Sequence, residues 1–350
     1  MNNRIQYFGR LILLLILLCC VGCGEPRREI WPVQGERHVW PSPPEKARVE
    51  YVGTITTEED SAGEGSWTEN VFELVFGKGE VGVLLSPYGV AVGQDETMFV
   101  TDSGGGAVHA FDLRRGKYRQ FMSIGQERTL QRPVAITLVD KRLYVVDSEL
   151  NEVCVFDQSG RFRFSFGSDQ LTRPSGIAYS HASGRVYVSD TGAHRVVVFD
   201  ADGKLLGSLG SRGVGPAQFN FPTSLWADGE GNLYVSDTLN YRVQVFSARG
   251  GFLRMFGEHG DRPGYFAHPS GVATDSFGHV YVADRQFENI QVFDRYGNIL
   301  MAFGEEGSGI GEFWLPSGIC IDGRNRIYVA DTFNKRVQVF QLLEVTNDGQ

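Results

Sequence analysis

The chain has 350 residues, of which 42% are hydrophobic and 21% are charged, and its formal net charge is −9. This composition can bury a core and excludes a chain that is disordered as a whole. The acidic balance argues against a general electrostatic attraction to nucleic acid or anionic lipid. Glycine is unusually frequent, with 44 residues. No Gly-X-Y period accompanies it, which excludes a collagen-like fibre.

The first 22 residues predict a secretory signal peptide. Arg4 and Arg10 precede the apolar run 11–18, and small residues follow it. The run is shorter than the roughly 20 apolar residues that a transmembrane helix needs. We therefore expect residues 1–22 to be removed during export, which leaves 31 basic and 42 acidic residues and a net charge of −11.

The residues at the end of this segment indicate a lipid anchor. Cys20-Val-Gly-Cys23 resembles the lipobox of bacterial lipoproteins, although Cys20 stands where an aliphatic residue is usual. The resemblance implies lipidation at Cys23, and Gly24 in place of aspartate implies passage to the outer membrane. An ordinary signal peptide cut nearby is the alternative. Residues 23–47 would form the anchor and a stiff, proline-rich spacer.

Six copies of one unit follow the spacer. Each unit opens with a proline, carries an aspartate at the end of an apolar run, and has a phenylalanine nine residues after that aspartate. The aspartates are Asp102, Asp147, Asp190, Asp237, Asp284 and Asp331, and they are 43 to 47 residues apart. Three landmarks that recur together at this period indicate a repeat architecture.

The pattern within a unit is that of β-strands. Short runs rich in Val, Ile, Tyr and Phe alternate with Gly, Asp and Asn turns, for example at 270–275, 279–283, 289–294 and 298–303. We name such runs strands A to D. Four short strands in each of six units predict an all-β fold, a six-bladed β-propeller.

The two ends of the propeller complement each other. The last unit stops after its strand C, at 337–342, whereas the run 49–55 is a strand without a unit of its own. Strand 49–55 is predicted to complete the last blade and to remove an open sheet edge. The sequence thus predicts a monomeric propeller over 48–343 and a tail at 344–350. Segment 56–86 is too short for a seventh blade.

The unit resembles the NHL repeat. The resemblance rests on Tyr234-Val-Ser-Asp-Thr-x-Asn240-x-Arg242-Val-Gln-Val-Phe246 and on the segments 260–269 and 309–313. It covers residues 87–342, and the chain as a whole is similar to bacterial six-bladed NHL-type lipoproteins. The Gly-His and Trp-Asp signature of WD40 repeats is absent.

We interpret the repeated polar residues as structural. An aspartate at a strand end can accept the backbone N–H groups of the following turn. Arg195, Arg242 and Arg336 follow their aspartates by five residues, so local ion pairs are expected. Phe219, Phe266 and Phe313 in the loops from D to A are expected to pack between blades. Cys154 and Cys320 are expected to be buried thiols.

Candidate binding residues come from the loops of one face. In propellers the B–C and D–A loops share the top face, and here they carry apolar and aromatic side chains. These are His194, Leu239, Tyr241, Phe287 and Phe333 in B–C loops, with Tyr265, His268 and Trp314 in D–A loops. An exposed patch of this kind indicates an interaction site. We therefore expect a non-catalytic scaffold that binds a protein or peptide on its top face.

Two other functions remain open. The resemblance implies that some related propellers are metal-dependent lyases or hydrolases, and His194, His259 and His268 are the histidines that could converge. The channel entrance should be lined by Tyr88, Val134, Ser175, Thr223, Ser270 and Ser317, and this set holds no His, Asp or Glu. We therefore predict no metal and no cofactor. A carbohydrate or cell-wall binder that uses the aromatic residues is the other alternative, and the charge of −11 argues against nucleic acid.

Overall fold

The computed structural model describes residues 37–56 and 83–343. In these ranges, six antiparallel sheets form the blades of a propeller, each ordered A-B-C-D. Blade 1 contains Pro87–Val92, Thr97–Asp102, Ala107–Asp112 and Lys117–Phe121; blade 2 contains Pro133–Val139, Arg142–Asp147, Glu152–Asp157 and Phe162–Phe166; blade 3 contains Pro174–Ser180, Arg185–Asp190, Arg195–Asp200 and Leu205–Leu209. The predicted all-β fold and the blade count are confirmed.

The remaining blades follow the same order along the chain. Blade 4 contains Pro222–Ala227, Leu233–Asp237, Arg242–Phe246 and Phe252–Phe256; blade 5 contains Pro269–Thr274, Val280–Asp284, Asn289–Phe293 and Ile299–Phe303; blade 6 contains Pro316–Ile321, Arg326–Asp331, Arg336–Leu342 and, as its strand D, Val49–Ile55. Short 3-10 turns lie at Thr191–Ala193 and Thr238–Asn240. Two-residue parallel strands pair Ser211–Arg212 with Gln218–Phe219, and Glu305–Glu306 with Glu312–Phe313.

The N-terminal strand closes the ring of blades. Val49 lies opposite Leu342 and Ile55 lies opposite Val337 in an antiparallel ladder, so blade 6 is built from both ends of the described chain. Val49 and Ile55 are both buried. The predicted closure by residues 49–55 is confirmed. The closing strand pairs the backbone N–H and C=O groups that strand C of blade 6 would otherwise expose at the edge of its sheet.

A fifth strand on blade 6 was not predicted. Val39–Trp40 pairs with Glu50 and Val49 on the outer side of the closing strand. The ring of Trp40 packs against those of Phe303 and Phe340, at centroid distances of 6.0 and 5.6 Å. Part of the segment that we interpreted as spacer therefore belongs to the propeller.

The core lies between the blades. Strands A form the innermost circle and strands B are buried on both sides, whereas strand D of blade 3 is mostly exposed. The D–A loop phenylalanines are fully buried, and each packs on a strand C phenylalanine of the following blade. The pairs are Phe219 with Phe246, Phe266 with Phe293, and Phe313 with Phe340, at 5.6 to 5.9 Å. Their predicted packing between blades is confirmed.

Glycine permits the close approach of neighbouring strands A. A Cβ atom at Gly176 would clash with the carbonyl oxygen of Thr223, and one at Gly318 would clash with that of Tyr88. Only a residue without a side chain fits where two strands converge on the narrow channel. Part of the high glycine content therefore follows from the geometry of the channel wall.

Cys154 and Cys320 are free and buried, as expected. Burial raises the pKa of both thiols, that of Cys320 to about 12.

No helix in the described ranges has the length and apolar character needed to cross a membrane. The predicted signal peptide, Cys23 and the tail 344–350 lie outside the described residues.

Candidate functional site

The strand-ending aspartates tie the loops of the top face together. The Asp237 carboxylate is fully buried and accepts the backbone N–H of Asn220 at 2.7 Å. It also accepts the Nε–H of Arg242 at 2.8 Å. The side-chain amides of Asn240 and Gln244 donate to the same oxygen as Arg242, at 2.9 and 3.0 Å. One carboxylate thus holds the D–A loop, the B–C turn and strand C in place.

The predicted ion pairs are present. Arg195 and Arg336 contact Asp190 and Asp331 at 3.1 and 2.7 Å, as Arg242 contacts Asp237. Arg336 also donates to the carbonyl groups of Ser308, Gly309 and Glu312. It therefore holds the D–A loop between blades 5 and 6 against strand C of blade 6. The arginines therefore act as structural cross-links between loops.

Blades without this arginine use backbone donors instead. Asp102, Asp147 and Asp284 each accept two N–H groups from the B–C turn and at least two from the preceding D–A loop. Burial would raise the pKa of Asp102, but the nearby His109 side chain, whose Nε2 lies 3.4 Å away, and the hydrogen bonds from loop N–H groups outweigh it and hold the pKa at about 2. The structural interpretation of the repeat extends to the D–A loop, which the sequence analysis did not anticipate.

Two of the predicted surface residues have other roles. His194 is only 8% exposed, and its Nδ1 accepts the backbone N–H of Phe221 at 3.2 Å. Its ring meets that of Phe221 edge-on at 4.5 Å. Tyr241 is half-buried and packs on His259 at 4.2 Å. The expected display of His194 on the surface was wrong, because the side chain packs on the neighbouring D–A loop.

His268 and Tyr265 are also half-buried. Burial lowers the pKa of His268, and the charge of Arg285 lowers it further. The Nδ1 atom of His268 is buried and has no hydrogen-bond partner. The backbone carbonyl of Tyr265 accepts a hydrogen bond from Gln291. Both residues lie at the top face as expected, but little of either is available to a partner.

An exposed aromatic pair remains. Trp314 and Phe333 are 51% and 52% exposed, and their rings lie 5.6 Å apart. Leu239 is also exposed, and Phe287 is half-buried. The predicted patch is therefore concentrated on blade 6, where Trp314 in the D–A loop meets Phe333 in the B–C loop.

The central channel is lined by the predicted residues. The starts of strands A, from Tyr88 to Ser317, surround a cavity of about 300 Å³. Its wall carries hydroxyl groups, such as those of Ser175 and Thr223, and apolar side chains. Among residues 37–56 and 83–343, no group of three His, Cys, Asp or Glu residues is arranged to hold a metal ion.

The mouth of the channel carries a charge pattern that the sequence analysis missed. A cavity of about 410 Å³ opens on the top face, and Arg132, Arg173 and Arg285 all line it. Arg132 and Arg173 directly precede the prolines that open strands A of blades 2 and 3. Alignment of the six units on these prolines would have placed both arginines on one rim. We name this feature the arginine mouth.

Comparison with protein families identifies the repeat. The NHL repeat model matches residues 171–199 and 313–340, which confirms the resemblance in blades 3 and 6. A search of curated protein sequences found no significant match.

Solved structures with the same fold differ in function. A protein of unknown function from Bacteroides thetaiotaomicron is 15% identical, with a TM-score of 0.59, over 83% of this chain and 76% of its own. A virginiamycin B lyase from Staphylococcus aureus is 15% identical, with a TM-score of 0.54, over 74% and 96%. A gluconolactonase from Xanthomonas campestris is 16% identical, with a TM-score of 0.57, over 74% and 87%. At these identities the likeness shows the fold alone.

The role of the aspartates can be tested at Asp237. In the Asp237→Asn variant, an amide NH₂ would face the donors of Arg242, Asn240 and Gln244, and Arg242 would lose its counter-ion. We expect the free energy of unfolding to fall by roughly 3 kcal/mol or more, as for other broken buried ion pairs. Chemical denaturation measures this change. Asp261→Asn is the control, because Asp261 is exposed and the charge change is the same. Equal stabilities of the two variants would contradict the structural role.

Proposed function

We propose that this chain, a six-bladed β-propeller with NHL repeats, is an exported, lipid-anchored module of the bacterial outer membrane that binds a protein or peptide on its top face and is not a catalyst. The observation that carries the binding proposal is the exposed pair Trp314 and Phe333. Large aromatic side chains are enriched at the centres of protein interfaces, where their burial contributes much of the affinity.

The position of the pair supports docking. Trp314 follows Phe313, which is wedged between blades, and its backbone N–H donates to the buried Asp331 at 2.8 Å. The N–H of Phe333 donates to the carbonyl of Trp314 at 3.1 Å. Both residues are thus fixed by backbone contacts while their side chains face solvent. A preorganised aromatic surface loses little conformational entropy on binding.

A metal-dependent lyase or hydrolase is the alternative. Propellers of this shape include both enzymes and an auxiliary nutrient binding protein from Bacteroides thetaiotaomicron, so the fold does not select a function. Of the three histidines that were expected to be able to converge, His194 is bonded to the Phe221 backbone and His259 packs on Tyr241. These contacts favour a packing role for both and therefore favour the binding module.

The lipid anchor is supported by the sequence Cys20-Val-Gly-Cys23. The strand at Val39–Trp40 places the start of the described chain on the outside of blade 6. The 13 residues 24–36 between Cys23 and the first described residue would connect the body to the membrane, and a chain of that length reaches up to about 45 Å when extended.

The docking surface is tested by photo-crosslinking in cells. A photoreactive amino acid in place of Phe333 is expected to give an adduct with a specific protein partner. The yield should fall when Trp314→Ala is added, because the second ring of the patch is lost. The control site is Tyr296, which is 73% exposed and lies in the C–D turn of blade 5, on the opposite face. Identical adducts from both sites, or a yield that Trp314→Ala does not change, would refute docking at this pair.

The anchor is tested by metabolic labelling with a radioactive fatty acid. Label should be incorporated in the natural chain and in Cys20→Ser, and it should be lost in Cys23→Ser, which has no thiol at the lipidation position. The Cys23→Ser protein should also leave the membrane fraction. Label that persists in Cys23→Ser would overturn the assignment.

A further inference from the structure

The arginine mouth is the most unusual charge feature of the described surface. Arg132, Arg173 and Arg285 line a single cavity of about 410 Å³, and no aspartate or glutamate side chain lines it. The chain as a whole has nine more acidic than basic residues. The cavity is therefore positively charged, although the chain as a whole carries a net negative charge.

Arg285 stands at a position that elsewhere in the propeller links two blades. The residue after the strand-ending aspartate is threonine in blades 3, 4 and 6. Its hydroxyl donates to the carbonyl of the proline that opens the next blade, from Thr191, Thr238 and Thr332 at 2.6, 2.9 and 2.8 Å. In blade 5 the hydroxyl of Ser270 makes this link instead, to Pro316 at 3.1 Å. The side chain of Arg285 is thus released from the link between blades and extends into the mouth.

Aromatic rings hold two of the arginines in place. The Arg285 guanidinium lies 5.6 Å from the ring centroid of Tyr88, and its Nη1 donates to the Tyr88 hydroxyl at 3.3 Å. The Arg173 guanidinium lies 5.5 Å from the ring of Phe221, which in turn packs on the buried His194. Cation–π contacts fix a guanidinium without neutralising it. Both groups are therefore oriented while their charge remains.

The donors at the mouth are largely unused. Within the described ranges, none of the three guanidinium groups forms an ion pair, and only Arg285 makes a side-chain hydrogen bond. Ser86 and Ser148 line the same cavity and add hydroxyl donors to it. A guanidinium presents a planar fork of N–H donors that matches a carboxylate or a phosphate. The mouth thus offers donors from three guanidinium groups that line one cavity, and no carboxylate lines that cavity.

We propose that the arginine mouth is a binding site for an oxyanion, the carboxylate or phosphate group of a small ligand. Arg285 of blade 5 and Arg173 of blade 3 supply oriented donors, Arg132 adds a third charge, and the serine hydroxyl groups complete the contacts. Phe333 of the proposed docking pair also lines this cavity, so the oxyanion site adjoins the docking surface but uses different side chains. An acidic side chain of a protein partner presents the same chemistry, and the experiment separates the two sources.

The test is isothermal titration calorimetry on the full-length protein in detergent at low ionic strength. The probes are inorganic phosphate, citrate, and a short glutamate-rich peptide with blocked ends. Arg132→Gln, Arg173→Gln and Arg285→Gln are examined singly and together. The control is Arg249→Gln, which removes the same charge from an exposed C–D turn on the opposite face. Thermal unfolding of every variant tests whether it is folded. If the triple variant is unfolded, the affinities of the single variants are compared instead.

We expect the natural protein to bind at least one probe, with an affinity that falls as salt is added. Arg285→Gln should weaken binding about tenfold, the usual effect of one lost charge-assisted hydrogen bond. The triple variant should not bind, and Arg249→Gln should match the natural protein. Binding of phosphate or citrate identifies a small free anion as the ligand, whereas binding of the peptide alone identifies an acidic protein segment. The proposal is wrong if no probe binds, or if Arg249→Gln loses as much affinity as Arg285→Gln.

Discussion

The structure depends on the hydrogen bonds between strand 49–55 and strand 336–342. These bonds turn six consecutive sheets into a closed ring, because they supply the last blade with the outer strand that its own repeat lacks. Without them the edge of blade 6 would expose unpaired N–H and C=O groups, which are a template for aggregation. The contacts of strand A in blade 6 with strand A in blade 1 complete the channel wall.

Within the closed ring, hydrogen bonds fix the positions of the D–A loops and the B–C turns of the top face. Buried aspartates hold the D–A loop that precedes their own blade, and in blades 3 to 6 threonine or serine hydroxyl groups also join the blade to the next one. The residue that precedes an opening proline lies at the rim of the channel, and in blades 2 and 3 its backbone N–H donates to the side chains of Asp147 and Asn151, respectively. Arg132 and Arg173 occupy that position in two blades. Hydrogen bonds from side chains to the backbone thus fix the backbone of both arginines at the mouth.

Much of the fold was predictable because the residues that define each repeat lie close together in the sequence. The aspartate, the arginine five residues later and the phenylalanine nine residues later lie within a single blade, so their spacing reveals their contacts. Exposure at the top face was less predictable, because it depends on neighbours from another blade. His194 is buried by Phe221, 27 residues away, and Tyr241 is partly covered by His259. The arginine mouth was missed for the same reason, since Tyr88 and Arg285 are separated by 197 residues.

The central claim is that the N-terminal strand closes the propeller, and deletion tests it directly. We compare a body that begins at residue 56 with one that begins at residue 49, which lacks residues 1–48, including the outer strand Val39–Trp40, but keeps the closing strand. Sedimentation velocity and thermal unfolding report assembly and stability. The account predicts that the body beginning at 49 stays monomeric, whereas the body beginning at 56 unfolds at a lower temperature and self-associates. A monomer of unchanged unfolding temperature after the loss of residues 49–55 would contradict it.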